Sequence, residues 1–233
     1  MDHALFDQRR YPVLPPRAGY AEWAPTYDAS VPPEMDLRLL GRLELDWAAA
    51  AHVLDLACGT GRIGAWLRGR GVRRLTGLDL TPEMLARAEA GGTYDHLAEG
   101  DVRATFLPGG AYDLILMVLA EEHLPELAPL YAEAARLAAP AGARFVLVGY
   151  HPHMLMCGIP THFDRADGSS ATIESHVHLL SDHFRAARAA GWALEALEEG
   201  LVDQAWVARK PRWARFLHHP VSFAAIWVRG AAG

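Results

Sequence analysis

The segment that most narrows the possible folds is Val53-Leu54-Asp55-Leu56-Ala57-Cys58-Gly59-Thr60-Gly61-Arg62-Ile63-Gly64. Val53, Leu54 and Leu56 form a short apolar run of the kind that fills a parallel strand buried on both faces. Glycines at 59, 61 and 64 then give the G-x-G-x-x-G spacing of a turn that enters a helix while a ligand approaches the bare main chain. The rhythm continues downstream. RRLTGLDL (73–80) reads as a second strand, followed by a helix with Thr81 as N-cap, Pro82 in its first turn and Met84, Leu85 and Ala88 on its apolar face. A third strand is predicted around 94–99, a fourth over YDLILMVLA (112–120), a helix over 126–138 and a fifth strand over ARFVLVGY (143–150). This alternation predicts an α/β fold with a doubly wound parallel sheet.

The rest of the chain is read around that core as a single domain over 1–233. Residues 1–33 are broken by prolines and rich in aromatics, which suits an N-terminal arm or lid rather than one long helix. Met35, Leu39, Leu40, Leu43 and Trp47 recur at helical spacing, predicting a helix over 34–47 at the start of a cofactor-binding core that runs to 150. Residues 151–180 interrupt the rhythm with a long insertion, a place where function often resides. In 181–233, Ser181 is the expected cap of a helix stopped by Gly191, and two strands follow, WALEALEE and VSFAAIWV (221–228). Arg62 and other scattered arginines are expected to be solvated.

Charge and composition exclude several classes. The chain has 22 Lys and Arg against 28 Asp and Glu, a formal net charge of −6, which argues against nucleic acid as a partner. RKPRWAR (209–215) is the one basic-aromatic segment that suits a phosphate backbone. An apolar fraction of 51% excludes intrinsic disorder. Cys58 and Cys157 make no disulfide framework, and there is neither an apolar leader nor a run of roughly 18 apolar residues. A cytoplasmic protein without membrane association is expected.

Three carboxylates sit at three consecutive predicted strand ends: Asp55, Asp79 and Asp101. In doubly wound sheets those ends face the ligand crevice. Two ligands compete for the glycine turn. A dinucleotide would set its pyrophosphate there, where Asp55 would repel it; a nucleoside sulfonium would bring a cationic ammonium that Asp55 would suit. Asp79 is placed to accept from ribose hydroxyls and Asp101 from an adenine amino group. Each could instead cap a turn or lie in a loop.

Taken together, VLDLACGTGRIG, LTGLDLTPEML, AEGDV, YDLILMVLAEEHL and LAAPAGARFVLV resemble the motifs of class I S-adenosylmethionine-dependent methyltransferases, closely over about residues 20–150. Ala141 stands where that family commonly has glycine. The resemblance implies a Rossmann-like seven-stranded sheet of six parallel strands and an antiparallel last strand, with S-adenosyl-L-methionine as cofactor. It implies that Asp55, Ala57, Gly59 and Gly61 hold the methionine part, with Met117 contacting it through the main chain. Asp79 would bind the ribose, with Leu80 and Met84 beside it, and Asp101 and Val102 would frame the adenine. GYAEWAPTYD (19–28) is similar to a lid segment, making Tyr20 and Tyr27 candidates to cover the methionine end; packing of an aromatic arm is the alternative.

Methyl transfer from a sulfonium is an in-line displacement, in which positioning supplies much of the acceleration and a base is needed only for a protonated acceptor. Histidine suits that task near neutral pH. The candidates are His123 after the fourth strand and His151 and His153 after the fifth. The other histidines of the insertion, with Asp164 or Glu174, could hold zinc or iron, but no tight ligand motif is present and no metal is assigned. Trp23, Met154, His162 and His178 are the candidate substrate contacts, beneath an apolar lid that includes Trp206, Trp213 and Phe216. That apolar surface alternatively forms a homodimer interface. The expected function is methyl transfer to an oxygen or nitrogen of a small molecule. The rivals are a methyltransferase acting on peptide, protein or RNA, and a nucleotide-binding protein without methyl transfer.

Overall fold

Strands apolar at every position must be covered on both faces, and that is what the computed structural model shows. It describes residues 1–31, 33–140 and 142–230, so Ala141 lies outside the described residues. Seven strands form the main sheet: β1 Val53–Leu56, β2 Leu75–Asp79, β3 His96–Glu99, β4 Leu114–Val118, β5 Arg144–Tyr150, β6 Trp192–Leu201 and β7 Pro220–Arg229. Val53, Leu114, Leu116 and Val146 pack on one face, and Leu54, Leu56, Ile115, Met117 and Leu147 on the other. Helices cover both sides, among them Arg62–Arg68, Pro82–Gly91, Ala128–Leu137 and Leu180–Ala189.

The spatial order is β3-β2-β1-β4-β5-β7-β6. The pairs β1–β2, β1–β4, β2–β3 and β4–β5 are parallel, while β7 runs antiparallel to both β5 and β6. Six strands therefore share one direction and the last opposes them, as expected from the sequence. The chain reverses its direction of travel across the sheet between β1 and β4, and that switch point is where such sheets open a crevice.

The N-terminal arm and the insertion build one structure. Val13–Leu14 pairs in parallel with Ser170–Ile173, which pairs antiparallel with His162–Asp164. Behind this small sheet, Trp23 stacks on Phe163 with ring centroids 5.4 Å apart and planes 15° apart, beside buried Ala171 and Ile173. The prolines divide the arm into short helices, Pro16–Trp23 being the longest, with Pro16 in its first turn.

Several expectations are corrected. The helix predicted over 34–47 is only Leu37–Leu40, capped by Asp36 and ended at Gly41. Leu43 and Trp47 are buried nonetheless, so their spacing marked core positions rather than a continuous helix. The helix expected to start at Ser181 begins at Leu180; the carboxylate of Asp182 accepts the Leu179 N–H, which replaces a serine cap. Arg62 is not solvated. It forms an ion pair with fully buried Asp36, tying the chain before β1 to the helix that follows the glycine turn. Met154 and Trp206 pack together in the core instead of forming part of a lid over the crevice.

Candidate functional site

At the switch point, a cavity of about 350 Å³ opens at the carboxyl ends of β1, β2 and β4. Its floor is the glycine turn. Gly59 adopts φ +55°, and no atom lies within 4 Å of where a Cβ would sit, so bare main chain faces the cavity. Gly61 (φ +90°) and Gly64 serve packing instead: the Tyr94 ring lies against both, 3.2 and 2.5 Å from their virtual Cβ positions. Two non-glycine residues in the left-handed region, Ala57 (φ +56°) and Leu119 (φ +54°), also line the cavity at the ends of β1 and β4. Such strain, about 1–3 kcal/mol per residue, persists where the surrounding fold imposes it and gathers at functional sites.

Asp79 is the best-supported polar group. Its Oδ2 accepts the Gly59 N–H and its Oδ1 the Thr81 N–H, each at 2.8 Å. The carboxylate is buried, with 7% of the residue exposed, yet it lines the cavity, and its other lone pairs can accept from a diol. Burial pushes its carboxyl above the usual range, opposed by the two N–H donors. Leu80, Met84, Val102 and Met117 line the same cavity, as the sequence suggested. Asp101 is at the rim, chelated by the Arg103 guanidinium and main-chain N–H, and that pairing lowers its pKa.

Asp55 is not in the cavity wall. It is buried beneath the glycine turn, where its Oδ2 accepts the Tyr94 hydroxyl at 2.7 Å. Burial, with Asp79 adding to it, pushes its pKa up to about 7 against the Tyr94 hydrogen bond and Arg62. A carboxyl whose folded pKa is raised stabilises fully below its unfolded value near pH 4, and that stability is lost as pH rises toward 7. Relative to Asp55→Asn, the protein is therefore expected to lose stability steadily as pH rises from about 4 to about 7. Urea unfolding of both proteins across that range checks it. Parallel stability curves would show that Asp55 titrates normally.

The opposite end of the cavity is closed by the lid. Tyr20 and Tyr27 line it, partly accessible through the cavity and otherwise surrounded by protein, which raises both phenolic pKa values. The Tyr20 hydroxyl lies 2.9 Å from His123 Nε2, and His123 Nδ1 lies 2.7 Å from the Glu174 carbonyl. A carbonyl only accepts, so Nδ1 donates to it, and in that tautomer Nε2 accepts from the Tyr20 hydroxyl. Behind them, a carboxyl oxygen of buried Glu122 lies 3.5 Å from Nε2 and accepts the Thr161 hydroxyl. The adjacent Glu121 is fully enclosed, and burial together with Glu122 drives its pKa well upward.

The other predicted residues are held elsewhere. His151 accepts the His153 N–H through Nδ1, capping the helix Pro152–Met156, and donates through Nε2 to Glu199 at 2.9 Å. His153 bonds His219 at 2.9 Å. Both are displaced because the end of β5 leads toward β6 and β7 rather than the crevice. Met154 is fully buried. His178 donates to the Leu124 carbonyl at 2.7 Å, and Trp23 lies under the lid with its indole N–H on Ser30. His162 faces a different cavity. The sequence reading missed Glu174 and His176 as cavity residues, although the insertion that carries them was singled out. Among the described residues no three His, Cys, Asp or Glu side chains are grouped as a metal site requires.

Residues 54–146 match the family described as "Methyltransferase domain". Human methyltransferase-like protein 27 is 36% identical over 107 residues, which are 42% of this chain and 44% of that protein. The malonyl-[acyl-carrier protein] O-methyltransferase of Serratia marcescens is 32% identical over 131 residues, 54% of this chain and 49% of its own length. The chain thus spans about half the length of these curated relatives. A crystal structure of an S-adenosylmethionine-dependent methyltransferase from Mesorhizobium loti superposes with a TM-score of 0.64 at 24% identity, covering 91% of this chain and 99% of that one, and so shares the fold.

Proposed function

The chain carries a methyltransferase domain of the class I S-adenosylmethionine-dependent family, and from that premise we propose that it methylates an oxygen or nitrogen of a small molecule, with His123 as the base. The cavity suits the cofactor on its own evidence: bare main chain at Gly59, the buried Asp79 carboxylate with free lone pairs, and a wall of Leu80, Met84, Val102 and Met117. When bound, S-adenosylmethionine supplies an activated methyl group on sulfur. Asp79 would accept the ribose hydroxyls, and Asp101 and Val102 would border the adenine. Asp55 would support the turn from beneath, through its hydrogen bond with Tyr94.

The observation that carries the reading is the Tyr20–His123 pair at the lid end of the cavity. The acceptor lone pair forms the new bond to carbon as the carbon–sulfur bond breaks, and its proton passes to Nε2, directly or through the Tyr20 hydroxyl. The Glu174 carbonyl fixes the ring through Nδ1, Nε2 meets the Tyr20 hydroxyl, and Glu122 lies where the positive charge would develop. The malonyl-[acyl-carrier protein] relative supports an oxygen acceptor.

The test is a methylation assay with methyl-labelled S-adenosylmethionine on fractionated cell extract, read by mass spectrometry. Label in the small-molecule fraction is expected. Label confined to protein or RNA would overturn the acceptor class while leaving the cofactor assignment intact.

A further inference from the structure

A second cavity of about 370 Å³ lies on the far side of the small sheet and shares no lining residue with the first. Alternation along His162–Asp164 explains the separation: Phe163 points to the Trp23 side, while His162 and Asp164 face the second cavity. Three guanidiniums line it, those of Arg9, Arg212 and Arg215. Among the described residues, twelve of the 21 arginines are ion-paired. These three, among the described residues, have no carboxylate within ion-pair distance. The one acid in the wall, Asp164, accepts the Ser170 hydroxyl. In a chain of net charge −6, three unpaired cations around one concavity run against the overall balance.

Aromatic rings adjoin the charge. Trp213 and Phe216 meet edge to face with centroids 5.6 Å apart, the Arg215 guanidinium lies over the Phe216 ring, and Tyr11 lines the cavity beside His162. His162 donates through Nδ1 to the Pro160 carbonyl, so its Nε2 accepts the Arg9 guanidinium at 3.0 Å and orients it. The field is felt nearby: burial and the charges of Arg212 and Arg209 lower the pKa of Lys210.

We propose that this second cavity binds the phosphate or diphosphate group of a molecule that carries a flat ring, a nucleoside phosphate being the simplest form. Guanidinium forks match phosphate oxygens, and the aromatic wall stacks the ring. The ligand would bridge three distant segments: the arm at Arg9, the hairpin at His162 and the turn at 211–216. It would thereby clamp the lid from behind. The site accounts for the RKPRWAR segment without nucleic acid, and it does not depend on the methyl-transfer reading.

The test is calorimetric titration of the full chain with inorganic pyrophosphate, and with ADP in the presence of saturating S-adenosylhomocysteine, at constant ionic strength. Saturable binding is expected, tighter for ADP than for pyrophosphate. Arg212→Ala/Arg215→Ala, at two exposed positions, should weaken both by about 10-fold or more without changing S-adenosylhomocysteine affinity. Asp164→Asn, which removes the one negative charge, should tighten both. Absence of saturable binding at millimolar concentration, or affinities indifferent to all three substitutions, would overturn the site. ADP binding no tighter than pyrophosphate would overturn the role of the aromatic wall.

Discussion

Asp79→Ala is expected to weaken S-adenosylhomocysteine binding by about 10²- to 10⁴-fold. The reasoning is local. A hydrogen bond to a charged group contributes about 1.5–3 kcal/mol, and two ribose hydroxyls donating to one buried carboxylate give about 3–6 kcal/mol. The same substitution strips the acceptors from the Gly59 and Thr81 N–H groups, so the melting temperature should fall as well. Asp79→Asn separates the two effects: it keeps the volume and one acceptor, and should fold while binding more weakly than wild type. Calorimetry on variants shown to be folded decides the matter. Affinity within a few-fold of wild type in a folded alanine variant would remove Asp79 from the cofactor site.

Turnover should fall by about 10²- to 10⁴-fold in His123→Ala, the range expected for loss of a positioned base. Affinity for S-adenosylhomocysteine should change little, because the ring lies at the lid end of the cavity. Tyr20→Phe keeps the ring packing and removes only the hydroxyl that His123 accepts, so a smaller loss is expected there. The readout that separates chemistry from packing is rescue: added imidazole should restore part of the turnover of His123→Ala and none of that lost in Tyr20→Phe. A variant with wild-type turnover would mean that the acceptor arrives already deprotonated.

The core of the fold was legible because its signals are local. Buried parallel strands are apolar runs, and the turn after β1 is set by glycines at fixed spacing. The boundaries that moved, such as the helix predicted over 34–47, did so where apolar spacing alone could not separate a helix from turns over the same core. The lining of the crevice was legible for the same reason: Asp79 ends β2, and Leu80, Met84 and Val102 come soon after strands whose ends meet there. The placing of the histidines was not, because it depends on which strand end faces that crevice. Sequence placed His123 and His151 on equal footing, both just past a strand. Geometry separates them, since β4 lies beside the switch point and β5 leads toward the antiparallel edge. Asp55 shows the same limit at closer range. Its place in the motif was plain, but only packing shows Tyr94 between it and the exterior.

The pairing of Val13–Leu14 with Ser170–Ile173 joins residues about 160 positions apart. During synthesis the arm emerges before the core, yet its strand partner follows the whole of β1 to β5. Closing so long a loop costs chain entropy that only the later contacts repay, so contacts of this kind form late. The crevice floor can therefore assemble on the growing chain while the wall carrying Tyr20 still lacks its anchor. Competence to enclose a ligand would then come later than the crevice floor, and be the first to go when the small sheet frays.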